Sequence, residues 1–157
     1  MLVGANKKYD TTINVSRTNA PLTLSSERSW LSATTISYNG VDYAIFTGGN
    51  NSFSRTIDIF YFNSSGTFSM LSTSVSLSVG RRWLKATTIT YNCVDYAIFA
   101  GGENSSGDSN VIDVFYFNSS GTFRKLNTSV SLSVGRSCLA VTSISRNGVD
   151  YAIFGGG

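Results

Sequence analysis

The chain of 157 residues contains no histidine. That absence removes at once the commonest general base, the usual metal-ligating side chain and every Ser-His-Asp arrangement. The two cysteines, Cys93 and Cys138, are too few for a zinc site. With a single proline, no apolar stripe of helical period, and β-branched or aromatic residues wherever order is expected, signals for helix are missing throughout. No apolar run approaches membrane-spanning length, and residues 1–10 show no apolar segment behind a basic start, so neither a membrane span nor a secretory signal is expected. Charged residues make up 13% of the chain, and its net charge of +3 is dispersed with no basic run longer than two. A nucleic-acid partner needs a basic stripe, and none is expected here.

What the chain does have is repetition. Val-Asp-Tyr-Ala-Ile-Phe begins at Val41, at Val94 and at Val149, spaced by 53 and 55 residues, and each copy runs into glycines. Residues 28–49 and 81–102 agree at 17 of 22 positions, and residues 57–80 and 112–135 agree at 20 of 24. Residues 136–157 match 81–102 at 13 of 22 positions. Ahead of Arg28 the likeness is faint. The expected organisation is a degenerate half-repeat over 1–27, whole repeats over 28–80 and 81–135, and a further half-repeat over 136–157. Such periods mark architectures in which each unit buries its apolar surface only against its neighbours.

Within a unit the punctuation predicts four short strands. Strand A, 31–38, is rich in Thr and Ile and is followed by Asn39-Gly40, a hairpin signal because both residues tolerate positive φ. Strand B, 41–47, is apolar on both alternating faces, with Val41, Tyr43 and Ile45 on one and Ala44 and Phe46 on the other, so it must be covered on both sides. Gly48-Gly49 ends it, for positive φ or for close backbone approach. Strand C, 57–62, repeats the two-sided pattern, and after Asn63-Ser64-Ser65-Gly66 comes a shorter, more polar strand D, 67–71. Four antiparallel strands per unit with the middle two buried on both faces are what radially stacked propeller blades require.

These residues also resemble the kelch repeat, the blade of galactose-oxidase-type propellers. The resemblance is carried by Arg81, by 94–99 running into Gly101-Gly102, by 111–116 and by Thr122-Phe123, and it covers residues 28–157. Phe68 and Phe123 stand where that family usually has tryptophan. The resemblance implies an all-β, partial kelch-type propeller of two whole blades and two half-blades. It also implies a non-enzymatic module whose loop face receives a protein or peptide. Galactose oxidase uses histidine and tyrosine copper ligands, and without histidine that chemistry cannot be assembled here, so no cofactor or metal is expected. The alternative is a fragment of a sugar-active or other propeller enzyme with its catalytic residues on further blades.

Propellers close with roughly four to eight blades, whereas this chain holds about three units. Two copies joined head to tail would close a six-bladed ring, and a fragment of a longer reading frame is the alternative. The compartment follows the same fork: cytoplasmic if Met1 is the true start, extracellular if the chain is part of a secreted protein. Six Asn-X-Ser/Thr sequons, at Asn14, Asn50, Asn63, Asn104, Asn118 and Asn127, would carry glycans in the second case.

The search for chemistry leaves few candidates. Asp42, Asp95 and Asp150 are one repeat position, Asp58 and Asp113 another, and Arg28, Arg81 and Arg136 a third, so scaffold accounts for them. The B-to-C loops, 48–56 and 101–110, fail to repeat, and they emerge with the D-to-A links on one face of the blades. Variation on a copied scaffold is where specificity resides. The candidate partner-binding residues are therefore Asn50, Asn51, Arg55, Arg82, Glu103 and Asp108, with no catalytic residue among them. Glu103 and Asp108 share a loop that could hold a cation, although a solvated loop is the plainer reading.

Overall fold

A computed structural model describes residues 22–157 and, before them, the backbone of two strands. In chain order the strands are β1 (Leu2–Asn6), β2 (Asn14–Thr18), β3 (Ser32–Tyr38), β4 (Val41–Thr47), β5 (Ile57–Phe62), β6 (Phe68–Leu71), β7 (Lys85–Tyr91), β8 (Val94–Ala100), β9 (Glu103–Asn104), β10 (Gly107–Asp108), β11 (Ile112–Phe117), β12 (Phe123–Leu126), β13 (Ala140–Arg146) and β14 (Val149–Gly155). They form two four-stranded antiparallel sheets, β3-β4-β5-β6 and β7-β8-β11-β12, flanked in sequence by the pairs β1-β2 and β13-β14. This is an all-β architecture of two whole blades and two half-blades. Among the described residues no helix is long and apolar enough to cross a membrane.

Local chemistry sets the boundaries. Asn39-Gly40, Asn92-Cys93 and Asn147-Gly148 all take positive φ, as the two-residue turn between A and B strands requires. Strand A begins at Ser32 and not at 31, because Trp30 turns the chain through φ 58°. Strand D begins at Phe68 because the Thr67 amide donates to the Asn63 side chain (2.9 Å) inside the preceding turn. The two-residue hairpin β9-β10 was not expected from the sequence. Its turn is made by the Ser106 amide donating to Asn104 Oδ1 (2.7 Å) and by Gly107 at φ 109°.

The principal core lies between the two whole blades. Ile36, Ile45, Ile57 and Ile59 of the first pack with Ala97, Phe99, Phe115, Phe117 and Phe123 of the second, and Leu77 and Leu84 of the link close the seam. Full burial of each isoleucine, leucine or phenylalanine in this set is worth about 1.5–3 kcal/mol. Tyr43 stacks on Tyr61 and meets Phe117, with centroids 4.5 Å apart in the second contact. Burial first, and the phenols of Tyr61 and Tyr38 second, raise its pKa above the ordinary tyrosine value.

Contacts between blades run through the A strands, β3 against β7 and β8, and β7 against β13 and β14. Thr34 Oγ1 lies 2.8 Å from Thr88 Oγ1, whose hydroxyl donates to Thr35 O (2.7 Å). The repeated aspartate of strand B ties successive blades together. Asp95 accepts the Ser37 amide of the first blade (2.8 Å) and the Thr90 hydroxyl of its own (2.7 Å). Asp150 in turn accepts the Ser145 hydroxyl and the Thr90 amide, which hold its carboxyl below the usual carboxylate range.

The repeated arginine closes each blade at its loop end. Arg81 is wholly buried; it donates to Phe99 O, Gly101 O and Val79 O and pairs with Asp113 at 2.8 Å. Burial pulls its guanidinium below its ordinary value, and the charge and hydrogen bond of Asp113 oppose that pull. Arg28 pairs likewise with Asp58 (2.6 Å). In the first two double glycines the first glycine, Gly48 or Gly101, serves both expected purposes, while Gly156 has positive φ and no close neighbour. Gly48 has φ +74°, and a Cβ there would lie 2.5 Å from Leu84 Cδ2 and 2.7 Å from Arg81 O, where the next blade's link crosses.

Candidate binding site on the loop face

The links entering the A strands carry a repeated left-handed residue, Trp30 (φ 58°), Trp83 (φ 57°) and Cys138 (φ 53°). This conformation sets Cβ against the following carbonyl and costs about 1–2 kcal/mol for an L-residue other than glycine. It is held by a ladder across the blades: the Trp83 amide donates to Trp30 O (3.0 Å), and the Cys138 amide donates to Trp83 O (3.2 Å). In the neighbouring B-to-C loop Ser52 and Phe53 are left-handed as well, at φ 50° and 54°. Outside the A-to-B hairpin turns, where positive φ belongs to the turn type, the described left-handed residues other than glycine all lie on this face, and such strain is a mark of a functional surface.

Arg82 sits at the centre of this strain. Its Cζ lies 4.2 Å from the Trp83 ring centroid, 5.1 Å from that of Trp30 and 5.4 Å from that of Phe53. The two indoles are 5.0 Å apart, tilted by 44°. Such cation–π contacts contribute about 0.5–1 kcal/mol where solvent reaches them. Arg82 Nε donates to Glu103 Oε2 (2.9 Å), and Nη1 donates to Asn50 Oδ1 (3.0 Å). The ion pair is partly exposed on both sides, which limits it to about 1 kcal/mol or less. Its backbone is better fixed, because Arg82 and Glu103 exchange amide-to-carbonyl bonds of 2.9 and 2.8 Å. The guanidinium has five N–H donors, and the two side-chain bonds use two of them.

Of the six residues selected from the sequence, Asn50, Arg82 and Glu103 are brought together, from two different loops and a link. The other three lie elsewhere on the same face. Arg55 donates from Nε to Leu77 O (2.8 Å) while its own carbonyl accepts the Leu77 amide (3.0 Å), which pins loop to link. Asn51 Nδ2 donates to Glu27 O (3.4 Å). Asp108 is exposed and pairs in register with Glu103 across the β9-β10 hairpin. The Glu103 carboxylate is engaged by Arg82. Among the described residues, no three His, Cys, Asp or Glu side chains gather as a metal site.

Trp30, Trp83 and Phe53 were not selected from the sequence. The two tryptophans occupy one repeat position, and selection by non-repetition passes over them. The signal that could have found them is their place beside the non-repeating Arg82, in a link where the third copy carries cysteine. The sequons also gain a structural reading. Asn63 Oδ1 and Asn118 Oδ1 accept the Thr67 and Thr122 amides in equivalent turns, and Asn104 does the same for Ser106, so these asparagines supply turn chemistry. Compared with known proteins, the chain matches no family model and no curated protein.

Proposed function

We propose that this chain is a non-enzymatic protein-interaction module built on kelch-like repeats, and that it binds a protein or peptide on the face formed by its B-to-C loops and D-to-A links. The observation that carries this reading is the cluster of Trp30, Trp83 and Phe53 around Arg82. Three aromatic residues in left-handed backbone surround one guanidinium, and Trp30 is 47% exposed. Exposed tryptophan and arginine are the residue types that dominate binding hot spots. The kelch resemblance supports the same face, since that family commonly takes peptide partners there. Arg82 retains donors for a carboxylate, so acidic side chains of the partner are the expected recognition element.

Selection of a random peptide library on the folded chain tests the proposal. Enriched peptides should carry acidic residues and should lose binding by roughly 30-fold with Trp30→Ala or Arg82→Ala. They should bind normally to Ser119→Arg, on the opposite, turn-bearing face. Peptides indifferent to Trp30 and Arg82, or no enrichment at all, would overturn it. A second partner, another copy of the chain, concerns a different surface and stands or falls independently.

A further inference from the structure

We infer that the open side of β13-β14 is an interface for a second copy of this chain, joined head to tail so that two copies close a six-bladed ring. The repeat supplies the argument. Ile36 and Ile45 are 1% and 0% exposed at the seam between the whole blades, but their equivalents Ile144 and Ile153 are 53% and 46% exposed. Val149 and Tyr151, equivalent to the half-buried Val41 and Tyr43, stand open beside them. One blade face that is buried elsewhere in the molecule is therefore presented to solvent.

Its complement is presented too. The second blade meets that face with Ala86, Thr88 and Phe99, which are half-buried, half-buried and fully buried. The same positions on the outer side of the first blade are Ala33 and Thr35, both exposed, and Phe46, half-buried. Each copy thus carries both members of an interface that the molecule already uses twice internally, between the whole blades and between the second blade and β13-β14. The two members are different surfaces, so the contact is heterologous, and a heterologous contact closes into a ring when its rotation permits. Two whole blades and two half-blades make three blade equivalents per copy. Two copies reach a number within the four to eight at which propellers close.

The strand ladder points the same way. β4 and β8 each pair on both edges, whereas among the described residues β14 pairs only with β13, and an open edge of this length is a template for another strand. Beside it lies a groove of about 640 Å³ lined by Ile98, Ile112, Val114, Leu132 and Phe154. At the equivalent place on the first blade, Ile57 and Ile59 share a core with Phe115 and Phe123 of the strands that follow. The pair β1-β2 stands where the repeat has strands C and D, with β2 in the phase of strand D and β1 starting ahead of the phase of strand C. Laid along β14 of another copy, it supplies the two strands that this sheet lacks.

Light scattering after size exclusion of the 157-residue chain should give a single species of twice the 16.9 kDa chain mass. Ile153→Lys and Ala33→Arg, each on an exposed position, should each give a monomer with unchanged β-type circular dichroism. Mixing these two variants should restore a dimer, because one intact interface survives in the mixed pair. A monomeric wild type overturns the inference and hands the open face to strands supplied by a longer chain. A dimer that persists in either variant, a mixture that fails to reassociate, or an open series of higher masses also overturns it.

Discussion

The hexapeptide Val-Asp-Tyr-Ala-Ile-Phe sits in three settings with the same strand, the same turn before it and the same A-strand partner, yet its burial differs in each. In β4 and β8 its isoleucine, Ile45 or Ile98, is 0% or 9% exposed, and in β14 the same residue, Ile153, is 46% exposed. The registers are equivalent, with Val41 opposite Tyr38, Val94 opposite Tyr91 and Val149 opposite Arg146. What changes is the neighbourhood. β4 and β8 each have a C strand on their free edge and a second blade across at least one face of their sheet, and among the described residues β14 has neither a C strand nor a blade beyond it. Sequence identity therefore fixes the strand, while the hydrophobic term, set by area removed from water, is delivered by the neighbour. In a repeat protein these two contributions come apart, and three copies of one segment separate them.

The largest expected effect breaks the comparison at the arginines. Arg81 is buried against Asp113 and three backbone carbonyls, whereas Arg136 is left with one exposed bond to Gly156 O (3.1 Å). Arg81→Met strands a buried carboxylate, with Lys125 still 3.8 Å away as partial compensation, and should cost about 3–5 kcal/mol in urea unfolding. Arg136→Met should fall within about 0.5 kcal/mol of wild type. Equal costs would mean that the arginine acts locally and owes nothing to strand C.

Truncating the isoleucine itself sharpens the comparison at the next level. Ile45→Ala opens a cavity between two blades and should cost about 2–5 kcal/mol. Ile153→Ala should cost about 0.5 kcal/mol or less in a monomer, because its side chain is already half in water. In a head-to-tail dimer the cost of Ile153→Ala instead grows with protein concentration, since the folded state is then linked to association. Urea unfolding at two concentrations distinguishes the cases.

Most of this fold was legible in the chain because its signals are short-range and stated more than once. Strands B and C appear at the boundaries read from alternation and turns, 41–47 and 57–62, since a two-sided apolar strand between Asn-Gly and Gly-Gly has few other solutions. The β9-β10 hairpin was not legible, because residues 101–110 are mostly Gly, Ser and Asn of no clear period and the pairing rests on two residues per strand. The site was legible by half. Non-repetition picked out Asn50, Arg82 and Glu103, whose convergence depends on how adjacent blades bring a loop, a link and the next loop together. The same rule hid Trp30 and Trp83, which repeat at one position of the ladder between links and form the proposed binding surface with Arg82 standing among them.

The smallest expected effect concerns the turn ahead of each hexapeptide. The three A-to-B turns are Asn39-Gly40, Asn92-Cys93 and Asn147-Gly148, and all six residues have positive φ. Two of the turns therefore end on a residue with no Cβ penalty, while Cys93 holds φ 60° against that penalty. Nothing offsets it in packing, since Cys93 is exposed and unbridged. A cysteine at this position also leaves the unfolded chain less freedom than glycine would, so part of the gain from relieving the strain is returned as entropy. Cys93→Gly should still stabilise the chain by about 1 kcal/mol or less, the left-handed strain being the larger of the two terms. Thermal unfolding read by circular dichroism would show it as a small rise in midpoint. A fall instead would mean that the second blade, the best buried of the three settings, draws its turn geometry from its neighbours and not from the turn residues.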